Sequence, residues 1–458
     1  MDFDYLNEIK GLYVSERKID PNKKNILFVF AKGKNYSCSN GIYQILDTLL
    51  KDQYNIFYIS TYQMDCPNCF AFTNHFRENF GTETKENENL LNNLFSALDL
   101  PDFDLCLYFE DRIRLPFMGY APKDSKYHNL YNKFTDSIYE TDDEWKELVN
   151  KIKSNIMHFT RVTSFMFCNN AVAFKLFDFL KLHHKYKKVI SFVIDPEFFY
   201  QYIDSENTEL LYFADDNRGT RHFKKFDIGQ FHHILYDNYT LKLNNNYKKT
   251  KDLIFAGNVF AVGSDRDKMF EIYLENISHN VDLFIPNAFN DINHSKTNDR
   301  SIKNAKEKFS EIYDRVVNNK NYKGYLQAVQ LPNEMNNYRY GLILPCYTYY
   351  DSLNFRPVFY VYHWVLPFIA PGYDPEYLMI PKEIQDRITV KNSTDIDNLI
   401  DYYNDHEDER IEIIKKLRDI FEIDEYIQNP EKMINREMQK ILPEYTYQHE
   451  LSKDKFDW

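Results

Sequence analysis

Four stretches of the sequence carry residue types suited to chemistry. In the first, Asp195 closes the apolar run through Val193 and Ile194, and Pro196 stops regular structure behind it. A carboxylate at the carboxyl end of a buried strand is partly desolvated. That raises its pKa toward the range of a general base. The plain alternative is a turn-initiating Asp before Pro, with Glu197 as a second, weaker carboxylate. The second stretch follows the run Asp252 to Ala256. Gly257, Asn258, Gly263, Ser264, Arg266 and Lys268 lie in and just after one loop. Backbone N–H groups beside glycine, an N-capping Ser264 or Asp265 and two cations are what a diphosphate needs. An ordinary capped strand–helix connection has the same outline, and neither a Walker loop nor a GxGxxG fingerprint is present.

The third stretch, residues 351–364, holds Arg356 at the start of an aromatic, helix-like segment. An arginine there is costly unless it meets an anion, and a structural carboxylate would serve as well as a ligand. His363 reads as a satisfied core histidine. The fourth is basic: Arg218, Arg221, Lys224 and Lys225, flanked by Tyr212, Phe213, Phe223 and Phe226, with Lys32 and Lys34 in the loop after the first strand. Phosphate contacts plus ring stacking would suit nucleic acid. A solvated face is the alternative, and Asp215 and Asp216 dilute the charge. Cys66 and Cys69 have the spacing of half a zinc site, but no second pair follows, so no metal ligand set is assigned.

The elements that position these residues follow from hydrophobic period. Asn25–Phe30, Tyr54–Ser60, Phe103–Phe109 and Lys188–Ile194 read as buried strands, with helices over Gly41–Leu50 and Ala171–Tyr186 between them. Tyr120–Thr160 is polar and reads as an insertion. Tyr236–Lys251 is rich in Asn, Lys and Tyr and reads as a linker. A second α/β unit then shows strands at Asp252–Ala256, Val281–Ile285, Tyr340–Leu344 and Pro367–Ala370, with a helix from about Asp265. Ser393–Asp419 is helical, and Pro430–Ile441 is a helix with Asn429 as its N-cap. This predicts two Rossmann-like parallel-sheet domains, 1–240 and 241–425, around a cleft, and a helical tail, 426–458, packing back on the first. Ligands of such sheets sit at the carboxyl ends of the strands, here the loops after Phe30, Ile194 and Ala256.

Composition sets the outer limits. Only 12 of 458 residues are glycine, while Tyr and Phe number 37 each, which rules out collagen-like, linker-like and low-complexity chains. The bias toward Asn, Lys, Ile, Tyr and Phe matches an AT-rich viral or microbial coding sequence. A formal charge of −13 argues against general adhesion to nucleic acid or anionic lipid. Six scattered cysteines and an acidic start without a signal-peptide pattern point to a reduced, cytoplasmic protein, in the host cytoplasm for a virus. The most apolar run, Val358–Gly372, is too short to span a membrane.

Taken together and in order, these segments resemble the phage DNA β-glucosyltransferases and their relatives of the GT-B glycosyltransferase fold. Asp252–Asn258, Lys268–Glu271 and Val281–Phe284 resemble the family's strand, donor-phosphate loop, helix and second strand. Lys185–Asp195 resembles the strand ending in its catalytic aspartate. Phe223–Phe231 resembles the approach to its interdomain linker, Asn354–Arg356 the site of a donor-binding arginine, and Asn392–Leu417 the closing helices. The resemblance implies a nucleotide-diphosphate sugar donor, foremost a UDP-sugar, held by Gly257, Asn258, Gly263, Ser264, Arg266, Lys268 and Arg356. The base would stack about Val329, Leu331 and Pro332. Asp195 would be the general base, the acceptor a hydroxymethylated pyrimidine in DNA, Mg or Mn a further participant, and the protein a monomer. The family's ribose-binding glutamate is replaced by Phe359, Arg266 is offset by one residue, and Phe260 and Ala261 stand where a first phosphate arginine belongs.

Overall fold

The computed structural model of the protein describes residues 9–30, 46–60, 63–72, 85–109, 175–193, 208–212, 224–225, 249–257, 259, 266–285, 310–326, 330–344, 356–374, 377 and 379–448. The chain divides into two compact units: Met1–Gly229 with Met438–Leu451, and Gln230–Glu437 with Ser452–Trp458.

In the first unit, β1 (Leu12–Val14), β2 (Asn25–Phe30), β3 (Asn55–Ser60), β4 (Cys69–Phe72), β5 (Leu105–Phe109), β6 (Val189–Val193), β7 (Thr208–Tyr212) and β8 (Lys224–Lys225) form one sheet. Its order is β1-β4-β3-β2-β5-β6-β7-β8. Every pairing is parallel except β1 with β4. Strands buried on both faces read as continuous apolar runs. Accordingly Ile26, Leu27 and Phe28 of β2 and Leu105, Cys106 and Leu107 of β5 are almost wholly buried. Helix α1 (Lys85–Ala97) adds Leu91, Leu94 and Phe95 to the same core. Residues 46–50 and 175–182 are also helical.

In the second unit, β9 (Lys251–Ala256), β10 (Val281–Phe284), β11 (Tyr338–Ile343) and β12 (Leu366–Ile369) form an all-parallel sheet in the order β10-β9-β11-β12. The expected helix after β9 begins at Arg266. It is a short α2 (Arg266–Met269) that widens into a π-helical turn, Phe270–Leu274. The wide turn brings Phe270, Tyr273 and Leu274 together into the core. Next come α3 (Ser310–Val317), α4 (Leu331–Met335), α5 (Arg356–Tyr362) and α6 (Lys382–Ile388). The expected helical region after Ser393 is two helices, α7 (Ser393–Asp405) and α8 (Glu407–Ile420), broken at His406. Asn392 caps α7 by accepting from the Asp395 amide at 2.9 Å. Helices α9 (Ile423–Gln428) and α10 (Pro430–Ile441) complete the chain of helices, α10 starting at the proline that the sequence places first. The α/β class with parallel sheets and closing helices is therefore the one the sequence predicts. No described helix is long and apolar enough to cross a membrane.

Candidate functional site

In the second unit the strand order reverses at β9. The chain goes from β9 to β10 on one side and later returns to β11 on the other. The crevice at the carboxyl ends of β9 and β11 is thus the topological switch point, where open parallel sheets bind ligands. Three features meet there. Gly257 extends β9 by donating its amide to Phe284 O at 3.1 Å. A side chain at Gly257 is blocked, because a Cβ would stand 2.9 Å from the Phe255 ring. Arg356, the first residue of α5, donates from Nη1 to Ala256 O at 2.9 Å. Pro357 follows within the first turn, where its missing N–H costs no helical hydrogen bond. A guanidinium delivered by the helix after β11 is therefore fixed on the last residue of β9, across the switch point.

Helix α5 is held there from both sides. Gly341 of β11 leaves room for Tyr360, since a Cβ would lie 2.6 Å from its ring. Burial pushes the Tyr360 phenol up to about 12, with Arg356 opposing the shift. At the far end, the carbonyls of α5 and the turn after it are satisfied by three buried cations. Arg418 Nη1 donates to Val361 O at 3.0 Å and Tyr362 O at 3.3 Å. Arg410 Nη1 donates to Trp364 O at 3.2 Å. Lys249 Nζ donates to His363 O at 2.7 Å and Asn336 O at 2.9 Å. Each arginine is neutralised by a bidentate carboxylate, Glu407 for Arg410 and Asp424 for Arg418. Arg418 also lies over the Trp364 ring, 4.5 Å from its centroid.

The remaining sites fall as follows. Lys268 is exposed on α2, and Arg266 begins that helix. Leu331 opens α4, and Pro332 is buried in its first turn. The chain before it runs beside β10 in the strand direction, Tyr322 bridging Leu283 in parallel. Helix α4 then returns it to the start of β11. Phe359 is half-buried on α5, one turn after Arg356. His363 is the core histidine expected: 1% exposed, with Nδ1 2.8 Å from Asn336 Oδ1. Lys224 and Lys225 form the edge strand β8, paired with Glu209 and Leu210 of β7. Asp195, Glu197, Asn258, Gly263, Ser264, Val329, Lys32, Lys34, Arg218 and Arg221 lie outside the described residues. Among the described residues, no three His, Cys, Asp or Glu side chains are grouped to hold a metal ion.

No family model and no curated protein matches this sequence. Solved structures do. T4 phage BGT in complex with UDP-glucose is similar at 12% identity, over 87% of this chain and 94% of that one, with a TM-score of 0.46. Anabaena Alr3699/HepE in complex with UDP and glucose is similar at 11% identity, over 92% and 99%, with a TM-score of 0.43. An α-glucosyltransferase in complex with UDP and a 13-mer DNA is similar at 9% identity, over 88% and 94%, with a TM-score of 0.43. Phage β-glucosyltransferase, whose motifs this sequence resembles, is thus represented among them.

The buried cations behind α5 are the residues that sequence reasoning missed. Arg410 and Arg418 stand on the same stripe of α8 as Ile414 and Leu417, all of them buried. An arginine recurring with the apolar residues of an amphipathic helix is the signal that marks it as buried and paired.

Proposed function

We propose that the protein is a glycosyltransferase that moves a sugar from a nucleotide-diphosphate sugar, foremost a UDP-sugar, to a hydroxymethylated pyrimidine in DNA. The observation that carries this reading is the Arg356 guanidinium fixed on Ala256 O at the switch point of a parallel sheet. A planar cation with fork geometry suits a diphosphate better than a neutral ligand. As the glycosidic bond to the donor breaks, negative charge grows on the leaving nucleotide. Arg356, with Arg266 and Lys268, stabilises that charge, and preorganised cations of this kind are usually the largest contribution. Asp195 takes the proton from the acceptor hydroxyl as its oxygen attacks the anomeric carbon. Mg or Mn would take phosphate oxygens and water among its ligands. A base in a duplex must leave the stack to be reached, and Arg218, Arg221, Lys224, Lys225, Lys32 and Lys34 would grip the phosphates around it.

One observation favours a second reading. Phe359, not an acid, follows Arg356 by one turn on α5. A body that binds a nucleotide sugar without transferring it would tolerate that change.

A thermal-shift panel of sugar nucleotides, followed by labelled-sugar transfer, tests both. One sugar nucleotide should raise the melting temperature, and Arg356→Ala should weaken its binding by roughly ten-fold or more. Asp195→Asn should cut transfer by about 100-fold or more, with hydroxymethylated DNA accepting sugar and unmodified DNA not. Binding without transfer to any acceptor establishes the second reading. Transfer to a glycan alone changes the acceptor. No response to any sugar nucleotide overturns the proposal.

A further inference from the structure

The turn between β3 and β4 has no part in the reaction proposed above, yet it is built with unusual care. Its centre is Cys66-Pro67-Asn68-Cys69. Asn68 adopts a left-handed backbone, φ 59°, and its side chain is buried. That side chain pins the turn to the segment preceding β2. Asn68 Oδ1 accepts from the Lys18 amide at 2.9 Å, and Nδ2 donates to Lys18 O at 2.8 Å and Ile56 O at 3.2 Å. The backbone is equally committed. Asn68 N donates to Glu16 O at 2.9 Å, Tyr58 N donates to Asn68 O at 2.9 Å, and Cys69 N donates to Ser15 Oγ at 2.7 Å.

This scaffold holds two thiols side by side. Cys69 is fully buried at the start of β4, and Cys66 is partly exposed in the turn. Pro67 and Asn68 form a turn with Cys66 and Cys69 at its two ends, positions whose Cα atoms lie within about 7 Å of each other, a separation a disulfide can bridge. The Cys66 thiol, with the Met64 backbone and the Ser60 hydroxyl, pulls the Cys69 thiol down in spite of its burial, whereas Cys69, burial, Asp47 and Asp65 push the Cys66 thiol up. Asp47 is itself engaged by the Tyr58 hydroxyl. One sulfur accessible and one buried, at the two ends of a rigid turn, is the arrangement of a dithiol that closes rather than one that binds a metal. Among the described residues no third His, Cys, Asp or Glu completes a metal cluster with them.

We propose that Cys66 and Cys69 form a reversible dithiol–disulfide site that reacts with low-molecular-weight disulfides of the glutathione class. Cys66, the accessible sulfur, gives its proton to water as it attacks the reagent. The reagent's S–S bond breaks, one thiolate leaves, and a mixed disulfide stands on Cys66. The Cys69 thiolate then attacks Cys66 Sγ and expels the second half of the reagent as a thiolate, and both departing thiolates take up protons from water. The protein loses two electrons, and the reagent is reduced to two thiols.

The test equilibrates the full-length protein in buffers of graded reduced-to-oxidised glutathione ratio, quenches with acid, alkylates and maps peptides by mass spectrometry. The expected result is loss of two hydrogens from the peptide carrying both cysteines, restored by dithiothreitol. Cys69→Ala should stop at a glutathione adduct on Cys66, and Cys66→Ser should leave position 69 unmodified, with both variants retaining wild-type circular dichroism. The proposal is overturned when both cysteines stay alkylatable at every ratio. It is equally overturned when either pairs with another cysteine of this chain or of a second copy.

Discussion

At the scale of residues, Lys249 and His363 show how a buried cap makes stability depend on pH. Burial, with Lys249 and Arg418 nearby, pulls the His363 imidazole down to about 3 from an ordinary 6.5, so it stays neutral in the folded protein. Below pH 6.5 the unfolded chain takes up a proton that the folded one refuses. Stability contributed by His363 is therefore present above about 6.5 and lost as pH falls toward 3. At pH 5 the loss is about 2 kcal/mol. Lys249 is pulled down to about 8 from 10.5 by burial and by Arg410. The folded state thus bears the cost of charging it below pH 8, and stability rises as pH climbs from about 8 to 10.5, by roughly 2–3 kcal/mol. Urea denaturation of wild type, His363→Gln and Lys249→Met across pH 4.5 to 10 checks both signs, the pH bounds being roughly those of the two titrations. The acid slope should shrink in the first variant and the alkaline rise should vanish in the second. Parallel curves for all three proteins would refute the assignment.

At the scale of elements, α5 matters because it sets where Arg356 points. Its seat on β11 depends on one glycine, since Tyr360 lies where a Cβ of Gly341 would be. Tyr360 is almost wholly buried and cannot swing out. Gly341→Ala should therefore cost about 1–3 kcal/mol through overpacking and lift α5 from the sheet. Lifting it weakens the Arg356 contact with Ala256 O and so the affinity for a sugar nucleotide. Chemical denaturation measures the first effect and calorimetric titration the second. A variant as stable as wild type with unchanged affinity would show that α5 is not seated by this contact. The elements also show what sequence could and could not reveal. Ile26–Phe30 and Leu253–Ala256 are apolar throughout, because strands in the middle of a parallel sheet are covered on both faces. Their limits were legible to within a residue. Strand β1 has three residues and β8 two, and both exist only because a neighbour offers a hydrogen-bonding edge. Nothing local marks them. Arg356 stood out as an arginine among aromatics. The cations that cap the other end of α5 come from a segment before β9 and from a helix after β12, a meeting only the fold creates.

At the scale of the whole molecule, the first unit is assembled from two distant parts of the chain, Met1–Gly229 and Met438–Leu451. The rhythm of alternating strands and helices foretold parallel sheets. The closing segment brings Met438, Ile441, Leu442 and Tyr445, all at most 5% exposed. It is fastened by Lys24 Nζ to Glu444 Oε1 at 2.6 Å and by Gln53 Nε2 to Thr446 O at 2.8 Å. The ion pair is half-exposed, 53% at the lysine and 42% at the glutamate, so it contributes little. The apolar side chains decide the energetics, at roughly 1.5–3 kcal/mol for each one fully buried. Their sum is of the order of a whole domain's net stability, about 5–15 kcal/mol. A chain ending at Glu437 should therefore leave the first unit's core uncovered. Hydrogen exchange should show peptides of β2 and β3 losing protection by several orders of magnitude, while β9 and β11 of the second unit keep theirs. Equal loss in both units would mean that they unfold as one cooperative body. Unchanged protection of β2 and β3 would mean that the closing segment adds nothing to that core.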